Sequence, residues 1–496
     1  MTYFLGIDVS TTASKALLLD STGKLVGVES SPHSISTPHP LWSEQDPEQW
    51  WIATQAAIRN VLSKTGVAGK AIASVGLTGQ MHGLVMLDAG GDVLRPAILW
   101  NDQRSGAECD EIRSRLGLDR LVQVTGNDAF AGFTAPKLMW VRTNEPVTYA
   151  RTEHVLLPKD FIRFKLTGDY ATDKAGAGGM LLLDLASRDW SAEILDALEI
   201  PAEWLPNSHE GTELTGYISR EAEAVTGLSS GCPVVGGGGD QAAGAVGMGA
   251  VTEDVWGLTI GTSGVVFAPT QEPRIERKGR VHAFPHAIPG MWHMMGVMLS
   301  AAGSLGWYHD ALALQLSYDD LISETDGIEA GAEGLLFLPY LSGERTPHAD
   351  SNVKGSFIGL STRHTRAHMT RAILEGVAFG LADNFKMLQA TGVQGPSQVR
   401  LSGGDAKSAV WRQIIADVLN VELVTVAATE AAASGAAILA GTGVGNWSSV
   451  SEACSRAVET GQIVSPNKGR TELYAEQHRR FRALYPALQS HFADLS

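Results

Sequence analysis

The run PVVGGGGDQAAGAVG, Pro233 to Gly247, sets four consecutive glycines between an apolar strand-like lead-in and an aspartate, with a train of small residues behind. A flexible linker has no use for the β-branched lead-in, and a surface turn has no use for the Ala/Gly helix-like segment that follows. Glycines in series permit unusual φ values and let another group approach the backbone closely. The pattern therefore predicts a strand that delivers the chain to a cleft, with Asp240 near the N-terminus of a small-residue helix. Cap position and helix dipole would both favour an ionised Asp240 at pH 7, able to take a proton from a hydroxyl. A simple Asp cap after a flexible loop accounts for the same letters.

Three other stretches follow a similar plan. YFLGIDVS, KALLLD and LVGVESS read as a meander whose first strand ends at Asp8. DPEQWWIATQAAIRNVLSKTG then predicts a helix, with Asp46 as N-cap, Pro47 at N1, Gln49 at the capping-box position and Gly66 as terminator. AIASVGLTGQ reads as a buried strand, and GLVMLDAGGDVLRPAILW as a hairpin around AGGD. In the second half, VWGLTIGTSGVVFAP repeats strand, hydroxyl-rich turn, strand, and VRLSGGDAKSAVWRQIIADVL runs strand, glycine turn, helix. Four apolar strands thus end in Gly/Ser/Thr/Asp-rich loops spread over both halves. A chain of 496 residues is too long for one core. We expect an α/β protein of two related domains, residues 1–245 and 246–496, facing one cleft lined by loops at the carboxyl ends of strands.

The net charge of −16 excludes a general attraction for nucleic acid or an anionic membrane. A bound anion such as a nucleotide must then be held by local backbone amides and helix N-termini, which suits a chain with 55 glycines. No apolar run approaches the roughly 18 residues of a membrane span. Cys109, Cys232 and Cys454 are odd in number and far apart, which speaks against a disulfide framework and fits a reducing cytoplasm.

Each loop has a functional and a bland reading. DVSTTASK could hold phosphate oxygens through Thr11, Thr12 and Lys15, with Asp8 holding Mg²⁺ through waters, or be a Ser/Thr-rich hairpin turn. Gly261, Thr262 and Ser263 offer the same format in the other half, so a triphosphate could be gripped from both sides. Gly403 and Gly404 would admit adenine or ribose, or merely make a tight strand–helix turn. Met81 and His82 could meet sugar hydroxyls, or His82 could be structural. A G-x-G-x-x-G fingerprint is absent from the Gly403 turn, which disfavours a nicotinamide-dependent oxidoreductase, and the first loop has no Walker A motif.

GFTAPKLMWVRTN (Gly132–Asn144) and GSFIGLSTRHTRAHMTRAILEG (Gly355–Gly376) fit the two signatures of the FGGY family of carbohydrate kinases, and the resemblance covers nearly the whole chain. PHPLWSEQDPEQWW, GQMHG, LRPAILWND, LLPKDFIR and FLPYLSGERTPH resemble the branch that phosphorylates D-xylulose. The resemblance implies two ribonuclease H-like domains of the actin/hexokinase/Hsp70 type facing a catalytic cleft, with ATP and Mg²⁺ as cofactors. It implies Asp240 as general base, also near the metal, and Asp8 as the group placing Mg²⁺ and the phosphates. Thr11, Thr12 and Lys15 would face Gly261, Thr262 and Ser263 across the phosphoryl group. Met81, His82 and Gln241 would contact the sugar. Trp307, Gly403, Gly404 and Ser408 would hold adenosine. A homodimer is implied by analogy. Ser10 stands where the family usually has Gly, and Gln241 where it commonly has Asn. Other ketopentoses, pentitols or gluconate remain alternative substrates, and a sugar- and ATP-binding regulator without turnover is the alternative from another class.

Overall fold

The computed structural model describes residues 1–403, 408–427 and 430–495. β1 (Tyr3–Val9), β2 (Ala13–Asp20) and β3 (Leu25–Pro32) form an antiparallel meander, followed by helix α1 (Pro47–Thr65). Asp46 caps α1 through the Glu48 amide, and Gly66 ends it in the left-handed region at φ 69°. Gln49 does not close a capping box. Its carbonyl oxygen instead accepts from the Ser34 hydroxyl at 3.0 Å, because the chain before the helix folds back over it. The AGGD segment turns at Asp88–Asp92, and the antiparallel bridges Leu87–Val93 and Leu84–Ile98 join the two arms as expected of a hairpin; Val85–Leu87 pairs on its other edge with His154–Leu156.

β4 (Ile72–Gly79) pairs parallel with β1. Helices α2 (Thr134–Asn144) and α3 (Pro158–Thr167) lead on to the edge strand β5 (Leu214–Tyr217), then β6 (Pro233–Gly239) and α4 (Asp240–Met248). β6 lies parallel to β4, so the first sheet reads β5–β6–β4–β1–β2–β3.

The second sheet repeats this arrangement. β7 (Val255–Ile260), β8 (Gly264–Thr270), β9 (His282–Pro285) and β10 (Trp292–Met298) are antiparallel neighbours, followed by α5 (Ala302–Leu312) and the long core helix α6 (Arg366–Gln389). β11 (Gln398–Ser402) and β12 (Glu422–Val426) add in parallel beyond β7, with α7 (Ala409–Leu419) between them and α8 (Ala431–Gly443) after them. α9 (Val450–Ala457) and β13 (Thr460–Val464) complete the unit, giving the order β9–β10–β8–β7–β11–β12–β13. α10 (Lys468–Asp494) closes the chain.

The equivalent helices α4 and α8, each following the second parallel strand of its sheet, pack directly on one another. A Cβ on Gly435 would stand 1.8 Å from the Ala243 carbonyl oxygen, and one on Gly247 would stand 1.9 Å from that of Ala431. α8 also lies backbone-to-backbone on the first sheet, where Cβ atoms at Gly6 and Gly76 would meet the carbonyls of Ala433 and Ala436 at 1.9 and 2.1 Å. The small residues of both helices are therefore steric requirements. Residue 246 falls inside α4, and α8 and α9, late in the chain, share an apolar cluster with Phe4, Leu17 and Leu19 of the first sheet.

Candidate active site

The carboxyl ends of β1, β4 and β6 come level, because Asp8 pairs with Thr78 and Gly239 with Gly79. Facing them are the ends of β11 and β12, and between the two sheets opens a cavity of about 910 Å³. Its wall includes Asp8, Ser10, Asp240 and Gln241 on one side and Ser402 and Gly403 on the other.

The four glycines have distinct work. Gly236 and Gly237 oppose the single residue Leu77 of β4, a β-bulge that turns the strand before Gly238 and Gly239 return to register. Gly237 sits at φ 72°, and a Cβ there would lie 1.8 Å from the Leu77 carbonyl oxygen. Gly238 meets Ala287, and Gly239 meets Met81. Asp240 follows as the first residue of α4. The N-cap is Gly239, so the expectation of a capping, dipole-lowered carboxylate is corrected. Burial pushes the Asp240 pKa up to about 6, against the opposing pull of hydrogen bonds from Gln241, whose amide donates to Oδ1 at 2.8 Å. The group is still mainly ionised at pH 7, but it is poised near its midpoint, which suits a proton acceptor.

Asp8 is buried, and burial first, then the Asp240 charge, raise its pKa to about 7. Its Oδ1 has no hydrogen-bond partner among the described residues. Two carboxylates on one cavity wall, the Asp240 charge raising Asp8 and one Asp8 oxygen orphaned, form a donor set that fits a divalent cation. Mg²⁺ takes few protein ligands and completes its shell with water and phosphate oxygens. No cluster of three or more His, Cys, Asp or Glu among the described residues would hold a metal by itself.

In the first loop, the Ser10 hydroxyl and amide both bond the Ala13 carbonyl, at 2.8 and 3.0 Å, closing the turn. The Thr11 hydroxyl accepts from the Trp100 indole at 3.0 Å, and Thr12 is exposed. Lys15 is held by Glu430 at 2.5 Å, an ion pair joining β2 to the start of α8. In the second sheet, the carbonyls of Gly261 and Thr262 accept amides at the start of α5, leaving the side chains of Thr262 and Ser263 exposed.

Met81 packs on Gly239, one residue from Asp240. His82 has φ 67°, stacks on Phe133 at 4.4 Å and donates from Nδ1 to the Gly179 carbonyl at 2.6 Å, which leaves Nε2 as an acceptor. Burial drops its pKa to about 3, so it is neutral. The first FGGY signature supports this turn: Thr134 Oγ1 and Lys137 Nζ both donate to the His82 carbonyl at 3.0 Å.

Gly403 reaches the cavity at φ 111°, where a Cβ would collide with the Ile260 carbonyl at 2.0 Å. Ser408 caps α7 by accepting from the Trp411 amide. Trp307 is 43% exposed on α5, lies parallel to Phe337, and is outside the wall of this cavity. Gly404 lies outside the described residues. Sequence reasoning missed Arg412, a buried cavity-wall residue on α7 that donates to Gln462 at 2.7 Å, and the Thr259–Ser402 hydroxyl pair at 3.1 Å. A lone arginine on an amphipathic helix reads as surface charge, so no local signal marks it.

The FGGY family of carbohydrate kinases supplies matches to both halves: its N-terminal domain over residues 3–247 and its C-terminal domain over 257–444. The chain belongs to the FGGY family of carbohydrate kinases. The kinase is 43% identical over 420 residues to the xylulose kinase of Escherichia coli (strain K12), covering 85% of each chain. It is 39% identical to the xylulose kinase of Lactococcus lactis subsp. lactis (strain IL1403), covering 98% of this chain and 97% of the relative. A crystal structure of a xyloylose kinase from Brucella ovis superimposes with a TM-score of 0.92 at 40% identity, over 98% of this chain and 99% of that one. As a carbohydrate kinase the enzyme uses ATP, and its two-domain fold is that of actin and hexokinase.

Proposed function

We infer that the kinase transfers the γ-phosphoryl group of ATP to the terminal hydroxyl of D-xylulose, giving ADP and D-xylulose 5-phosphate. The observation that carries the chemistry is Asp240, a carboxylate with a pKa of about 6 at the cavity wall. The kinship with xylulose kinases supports the choice of sugar.

In this reading Met81, His82 and Gln241 hold the ketose, with neutral His82 accepting a sugar hydroxyl at Nε2. Asp240 aligns the 5-hydroxyl and accepts its proton as the oxygen attacks phosphorus. Thr11, Thr12 and the 261–263 loop face the phosphates from opposite sheets. Lys15 reaches them by exchanging Glu430 for phosphate oxygens. Gly403 makes room for the nucleoside, with Ser408 and Trp307 at its margin. Asp8 and Asp240 would hold Mg²⁺, which when bound offsets the charge on the phosphates. Phosphoryl transfer asks mainly for such positioning and charge stabilisation.

The test is coupled ADP release with Mg-ATP against D-xylulose, L-xylulose, D-ribulose, L-ribulose, D-fructose, D-arabinitol, xylitol, gluconate and glycerol. D-xylulose should show the highest kcat/KM, and Asp240→Ala should lower kcat by roughly 10²–10⁴. A higher kcat/KM for another polyol overturns the sugar assignment. An Asp240→Ala variant within a few-fold of the native kcat removes Asp240 as the base.

A further inference from the structure

The bulge at Gly236–Gly237 breaks the β6 ladder, and its backbone groups need partners elsewhere. The amides go to the neighbouring loop, Gly236 to the Glu213 carbonyl and Gly237 to that of Gly211, each at 2.8 Å. The Gly236 carbonyl, together with that of Val235 before it, goes to one side chain. Arg163, fully buried on α3, donates from Nη1 to the Val235 carbonyl at 2.7 Å and from Nη2 to the Gly236 carbonyl at 2.6 Å. Its Nη1 also donates at 2.5 Å to Thr215 Oγ1, which in turn donates to the Val234 carbonyl at 3.0 Å. A planar, forked, permanently charged donor suits this task, since two carbonyls on adjacent residues present the acceptors that its fork spans.

We propose that Arg163 is a positioning residue for phosphoryl transfer: it clamps the bulge whose geometry sets where the Asp240 carboxylate stands. A buried guanidinium is tolerated here because the surrounding charges balance. Lys159 is bridged to Asp160 at 2.5 Å and to Asp173 at 2.7 Å, and Arg163 Nε lies 3.8 Å from Asp160, so two cations meet two anions. The same network reaches the other arm of the sugar site. Asp173 caps the short helix Lys174–Gly178 through the Gly176 amide at 2.7 Å, and the Gly179 carbonyl just beyond that helix holds His82. LLPKDFIR thus contributes three of the four charges that tie the Asp240 strand to the His82 turn.

The proposal rests on Asp240 being the base, so Asp240→Asn is assayed beside the Arg163 variants. Arg163→Lys keeps the charge but loses the fork. Arg163→Met with Asp160→Asn removes the clamp while leaving Lys159 and Asp173 as a balanced pair. Folding is checked by circular dichroism, and kinetics are measured well below each Tm with D-xylulose and Mg-ATP. A misplaced base should lower kcat about tenfold in Arg163→Lys and about a hundredfold in the double variant, with the KM for Mg-ATP within about twofold of native. If a folded double variant keeps kcat within about threefold while Asp240→Asn is inactive, Arg163 is a structural residue and the proposal falls. Should the double variant not fold, a native kcat in Arg163→Lys overturns the proposal equally. Turnover retained in Asp240→Asn instead removes the base assignment itself.

Discussion

At the residue scale, the site holds two carboxylates whose surroundings oppose their ionisation. Asp240, with a pKa of about 6, must be deprotonated to accept the sugar proton, so kcat/KM for the sugar should fall as pH drops through about 6. A pH–rate profile flat from pH 8 to 5 would contradict that assignment. Asp8 has the further consequence of destabilising the ligand-free fold. Its pKa is raised to about 7, so the folded state binds this proton more tightly than the unfolded chain does. The contribution to stability is therefore present at low pH and is lost as pH rises through about 7. Asp8→Asn, with no ionisation to oppose, should raise the Tm of the ligand- and metal-free protein at pH 8 by about 1–2 °C and leave it unchanged at pH 4. Thermal scans at the two pH values test this, and an equal shift at both would show that the effect is not electrostatic. Such a cost fits a residue kept for a ligand and not for the fold.

At the element scale, the glycines of β6 and α4 signal close approach in the sequence, the structure adds those of α8, and the approaching group is in large part protein. Gly237 needs both a positive φ and an absent side chain, so Gly237→Ala should destabilise by more than about 2 kcal/mol and depress kcat along with stability. Gly435→Ala acts at the other end of the same assembly. Its methyl would drive α8 off the Ala243 carbonyl of α4, the helix that begins at Asp240. We expect a lower Tm and a reduced kcat in that variant, checked by calorimetry and steady-state kinetics; an unchanged Tm would mean the helices can separate freely. The helix and strand assignments were legible because they rest on local signals, such as Asp46, Pro47 and Gly66 around α1. The bulge was not legible. Four glycines in a row admit any register, and the choice is made by Leu77, Arg163 and the 210–213 loop, distant in sequence.

At the scale of the whole molecule, two sheets sharing a five-strand core of the same order face each other across the cavity, with α4 and α8 packed together between them. The Lys15–Glu430 pair spans the same junction, and its exchange for phosphate oxygens would couple nucleotide binding to the relative placement of the two sheets. Small-angle scattering should therefore show a smaller radius of gyration with D-xylulose and a non-hydrolysable ATP analogue than without. An unchanged radius would mean that transfer occurs in the arrangement described here.

The α/β class, the paired loops at strand ends, the kinship with carbohydrate kinases and the candidacy of Asp8 and Asp240 follow from the amino-acid sequence, because strand periodicity, turn residues and long spaced motifs are local properties. The rest arises only on folding. The burial that lifts Asp240 to about 6 and Asp8 to about 7 depends on what surrounds them, and no property of the residue type predicts it. The same holds for Arg412 in the cavity wall, Trp307 outside it, Lys137 under His82 and Arg163 behind the bulge. Each acquires its role from a backbone group or charge brought near by folding.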